Sequence, residues 1–79
     1  MTKDELILGV KEVIRTHRTK FSPQLLDGLV EFYDDFDPYG MRDAFGDLTV
    51  QSHREKAKKD IRYVLRTDPE HILNDLQET

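Results

Sequence analysis

Apolar residues recur along this chain at three- and four-residue steps, the spacing of one helix face rather than the alternation of a strand. Leu6, Ile7, Val10, Val13, Ile14 and His17 share one face of the first segment. Thr2 stands before it with Glu5 three residues later, a pair that caps a helix start reciprocally. The spacing predicts a helix over 3–17, with His17 at the core or its boundary. Arg15, Arg18 and Lys20 lie at its end, where cations suit the helix dipole.

Ser22-Pro23 marks the second start, a good N-cap followed by a residue that needs no N–H in the first turn. Leu25, Leu26, Leu29, Val30, Phe32, Tyr33 and Phe36 cover one broad face, and Asp27, Glu31, Asp34 and Asp35 the other. A helix over 23–35 follows, ended by Asp37-Pro38 because the residue before proline avoids helical geometry. Asp37-Pro38-Tyr39-Gly40 reads as a turn. Met41, Ala44, Phe45 and Leu48 line a short third helix over about 40–47, weakened at its end by Gly46. Leu48-Thr49-Val50 is read as a short extended piece or a continuation of the helix.

Ser52 with Glu55 forms a second capping box, before a narrow stripe of Ala57, Ile61, Val64 and Leu65. This predicts a helix over 53–66. Asp68-Pro69 repeats the cap-plus-proline start, and Ile72, Leu73 and Leu76 give a last helix over 69–77. The expected fold is all-α: a single domain, 1–79, arranged as a small bundle or orthogonal array of four to five short helices with no significant sheet. The aromatic-rich segment 23–35 should be its central element. Segment 53–66, with its thin stripe, should lie outside.

Composition adds limits. The chain has 79 residues, no cysteine, and 35% charged residues. Small secreted domains usually need disulfides, so an intracellular, cytoplasmic setting is expected. No apolar run reaches the length of a membrane span. Cofactors and bound metal are not expected. The three histidines show no i, i+4 pair, and there is no thiolate. No glycine-rich phosphate loop or His-Glu-x-x-His run is present, and no enzymatic activity is expected.

Charge then singles out candidate surfaces. Residues 21–50 carry seven acids against Arg42, a net of −6; residues 51–66 carry six bases against Glu55 and Asp60, a net of +4. The acidic corner gathers Asp34, Asp35, Asp37, Tyr39 and Asp43, a candidate protein-binding site because tyrosine among charges suits interfaces. Lys56, Lys59, Arg62, Tyr63 and Arg66 share the outer side of 53–66, a candidate nucleic-acid site because bases track phosphates and tyrosine stacks on nucleobases. Intrahelical pairs Glu55–Lys59 and Lys56–Asp60 should neutralise part of that face. Whether Tyr39 folds back on the core or stands free is open at this level.

The run Asp35-Phe36-Asp37-Pro38-Tyr39-Gly40-Met41-Arg42-Asp43-Ala44-Phe45-Gly46 resembles, in part, an EF-hand calcium loop. Asp35, Asp37 and Asp43 fall at its first, third and ninth positions and Gly40 at its sixth, which implies calcium binding by residues 35–46. Gly46 stands where that loop carries its bidentate glutamate, and Tyr39 and Arg42 also depart from the pattern.

The expected function is a small regulatory or adaptor-type module, an inhibitor or immunity-type protein, that contacts another protein through a charged helical face. The alternative is a nucleic-acid-binding regulator using 53–66. Self-association of the acidic on the basic face is a third reading. No membrane contact is expected, and the oligomeric state is open at this level, with a monomer slightly favoured.

Overall fold

Two designed-in helix starts set the frame. Thr2 Oγ1 accepts from the Glu5 N–H and Glu5 Oε1 from the Thr2 N–H, both at 3.2 Å. Ser22 Oγ accepts from the Leu25 N–H at 3.2 Å, with Pro23 as the first helical residue. The computed structural model describes all of residues 1–79. It contains α1 (Lys3–Thr16), α2 (Pro23–Phe36), α3 (Met41–Phe45), α4 (Gln51–Thr67) and α5 (Pro69–Glu78), and no strand. The fold is an all-α array, with principal extents of 32 × 25 × 20 Å.

One core runs through all five helices. Leu6, Val10 and Val13 come from α1, and Leu25, Leu26, Leu29, Val30 and Tyr33 from α2. Met41, Leu48, Ala57, Ile61, Leu65, Ile72 and Leu76 complete it. Helix α2 gives the broadest buried face, because its apolar positions come in adjacent pairs at four-residue steps. Helix α4 buries only three residues along 17, yet it touches α2, α3 and α5. Helix α5 packs chiefly on α1, so the two ends of the sequence lie side by side. There Lys3 Nζ donates to the Thr79 carbonyl.

Several boundaries differ from the sequence pattern. Helix α1 ends at Thr16, and His17 takes a left-handed backbone (φ 52°) as its C-cap, so its ring is exposed rather than at the core. Helix α4 starts at Gln51 with Val50 as N-cap, which puts Ser52 inside the first turn and dissolves the expected capping box. Residues 48–50 form a turn. The Asp47 carboxylate holds it by accepting from the Thr49 N–H at 2.9 Å and hydroxyl at 2.8 Å. Helix α3 stops at Gly46, whose φ is 85° and whose Cα faces the His53 ring. A Cβ there would stand 2.7 Å from His53 Nδ1, so only glycine lets the chain turn into α4 at this point. No helix is long and apolar enough to cross a membrane.

Candidate functional site

Charge pairing between α2 and α4 decides which surface remains available. Asp27 Oδ1 accepts from Lys58 Nζ at 2.7 Å and from Arg54 Nε at 3.3 Å. Glu31 Oε1 accepts from Arg54 Nη2 at 3.2 Å. The Lys58 and Arg54 side chains are largely covered by these contacts. Asp27 and Glu31 are therefore paired within the molecule, although the Glu31 side chain stays exposed. They form a charged seam along the α2–α4 contact. Lys58 beside it holds the Asp27 carboxyl below the usual carboxylate range, and Asp27 in turn raises the Lys58 ammonium.

The acidic corner is also partly occupied from within. Asp34 Oδ1 accepts from Arg42 Nε at 2.8 Å, and the Asp34 carbonyl takes a second bond from Arg42 Nη2. Asp37 Oδ1 accepts from the Met41 N–H at the start of α3. Asp35 and Asp43 make no side-chain contact of either kind. Helix α3 begins at what would be the seventh position of a calcium loop, so residues 35–46 do not wrap around a common centre. No three acidic, histidine or cysteine side chains stand close enough to share a metal ion.

Tyr39 folds back. Its hydroxyl donates to Asp75 at 3.1 Å and lies 2.8 Å from His71 Nε2, while its ring stays 55% exposed. Tyr33 donates to the same Asp75 from the core side at 2.7 Å. Burial and the Asp75 carboxylate push both tyrosine hydroxyls up from their ordinary titration range, Tyr33 far more than Tyr39. Asp75 is the one buried charged residue of the chain. It escaped the sequence reading because a single aspartate on the last helix looks like a surface residue. Its one signal was position: it stands three after Ile72, on the apolar side of its helix.

The outer face of α4 is different. Lys56, Lys59, Arg62 and Arg66 are exposed, and none is in an ion pair or side-chain hydrogen bond. The expected neutralising pairs do not form. Glu55 instead accepts from Gln51 Nε2 at 2.6 Å and Lys58 Nζ at 3.4 Å, which turns it away from Lys59. Lys56, Lys59, Tyr63 and Arg66 line one shallow groove together with Phe45 of α3 and Asp60. Arg62 stands outside that groove on the same helix side. Tyr63 is 59% exposed among these bases.

Comparison with protein-family models, curated proteins and solved structures finds no match to this chain. The arrangement itself must therefore carry the reading. It offers a positive, aromatic-centred groove.

Proposed function

We propose that the protein is a small non-enzymatic binding module that holds an acidic partner protein on the outer face of α4. One observation carries the reading. After the molecule has paired its charges internally, four bases on one helix face remain unsatisfied around an exposed tyrosine. Such a face attracts an acidic surface over a distance and sets its orientation on contact. Tyr63 and half-buried Phe45 supply the flat apolar area that interfaces favour. The regulatory, inhibitor or adaptor role expected of a chain of this size is consistent with such a face.

Tyr63 between Lys59 and Arg66 also favours a second reading, in which α4 tracks phosphates and the ring stacks on a base. The net charge of −4 opposes it, since the rest of the surface repels nucleic acid.

A single NMR experiment tests both. Labelled protein is titrated at low salt with poly-glutamate, then separately with duplex and single-stranded DNA. Amide shifts confined to 56–66 with poly-glutamate are expected, and the Lys59→Glu/Arg66→Glu variant should bind at least about tenfold more weakly. Shifts with DNA alone would replace the first reading by the second. No shift with any of the three polymers would discard the face altogether.

A further inference from the structure

Beside the basic groove lies a second concavity of different chemistry. A cavity of about 210 Å3 opens where α2, the 37–40 turn, α4 and α5 meet. Met41, Ile61, Val64 and Ile72 give it apolar walls. Tyr39 and His71 form its exposed rim, their ring centroids 5.4 Å apart. A polar ligand would find few free partners inside. The Tyr33 and Tyr39 hydroxyls are already committed to Asp75, and His71 Nε2 to Tyr39. The volume matches one leucine- or phenylalanine-sized side chain, and the walls match its chemistry.

Asp60 lines both the cavity and the basic groove, so the two adjoin on α4. Lys56 and Lys59 stand on one side of it, and Val64, one turn further on, faces the cavity. We propose that the acidic segment held on α4 is anchored by a single apolar side chain that enters this cavity. This rests on the reading of the α4 face given above. The occupant follows from charge complementarity. Bases attract its acids toward Lys56, Lys59 and Arg66, Asp60 repels acids on the cavity side, and the apolar walls favour an uncharged residue there. The partner is thus an acidic protein segment with one leucine or phenylalanine set one to two helical turns from its acids. Asp60 fixes which way round that segment lies.

The test uses two labelled, glutamate-rich peptides, identical except for one central leucine or alanine. Each is titrated into the full chain carrying labelled amides and methyl groups. The leucine peptide should bind about tenfold more tightly, as burial of one such side chain predicts. The methyl signals of Met41, Ile61, Val64 and Ile72 should move with that peptide alone. Equal affinities, with shifts only in the 56–66 amides, would overturn the anchor and leave the basic face standing. Silence from those amides with both peptides would overturn the two proposals together. Val64→Phe fills the cavity from its half-buried rim. It should erase the leucine preference while the alanine peptide binds as before, and a preference left intact would also overturn the anchor. The methyl measurement is made on the unsubstituted chain, so it decides the matter even if that variant folds poorly.

Discussion

Asp75 shows how much one residue can organise. Its carboxylate accepts from Tyr33 on α2 and Tyr39 in the following turn, and it sits on α5. Three separate stretches of chain therefore meet at one side chain. Asp75→Ala leaves the Tyr33 hydroxyl buried without its acceptor, and should cost about 2 kcal/mol in urea unfolding. Asp75→Asn keeps an acceptor oxygen and should cost less. The same cluster sets an alkaline limit. In the unfolded chain the tyrosines ionise near their ordinary value of 10.0, whereas the fold holds Tyr33 protonated well beyond it. The stability this confers is complete below about pH 10 and is lost as the pH rises from there toward the folded-state value. Tyr33→Phe should flatten that loss in urea midpoints measured between about pH 9 and pH 11. None of this was legible from residue type. An aspartate near a chain end reads as solvent-facing until the helix carrying it is docked on α1. Tyr39 could be placed in a turn by its neighbours Pro38 and Gly40, but its direction depended on a partner 36 residues away.

At the scale of elements, the periodicity of apolar residues located all five helices and the absence of a sheet. Local starts were readable where the cap bonds its own neighbours, as at Thr2 and Ser22. They were misread where packing overrode the local signal. Ser52 and Glu55 have the right spacing for a box, yet α4 begins earlier because Asp47, Thr49 and Gly46 shape the preceding turn. Packing also trims the charge blocks at residues outside both candidate sites. Acids on one helix and bases on another looked like two surfaces, but Asp27, Glu31, Arg54 and Lys58 meet across the contact between them. Asp27→Asn tests that seam. The pair is partly open to solvent, so the loss near neutral pH should stay below about 1 kcal/mol and shrink in high salt. The Asp27 pKa is lowered in the fold, so its contribution is present above the ordinary carboxylate range and fades as the pH falls through the folded value. Thermal melts at neutral and acid pH should therefore separate the variant from the parent only at the higher pH.

At the scale of the whole molecule, the distribution of charge is a matter of subtraction. Internal pairing removes Arg54, Lys58 and Arg42 from the list of free bases and leaves the α4 face standing out. That face does no work inside the protein. Lys59→Glu/Arg66→Glu should leave the melting curve within about 0.5 kcal/mol of the parent, the range of ordinary surface changes. A large destabilisation would mean that the face is structural after all. The candidate residues Lys56, Lys59, Arg62, Tyr63 and Arg66 could be read from spacing on a helix. Their groove with Phe45 could not, because it depends on where α3 comes to rest.

The pairing of α5 with α1 has a consequence for how the chain acquires this shape. Helix α1 leans mainly on α5, and closure of the chain between them must come before that contact can be rewarded. While the protein is being synthesised, the apolar side of α1 has chiefly α2 to lean on until residues 69–78 leave the ribosome. A chain halted before α5 would leave part of the apolar side of α1 open to chaperones, and addition of residues 69–78 would withdraw it.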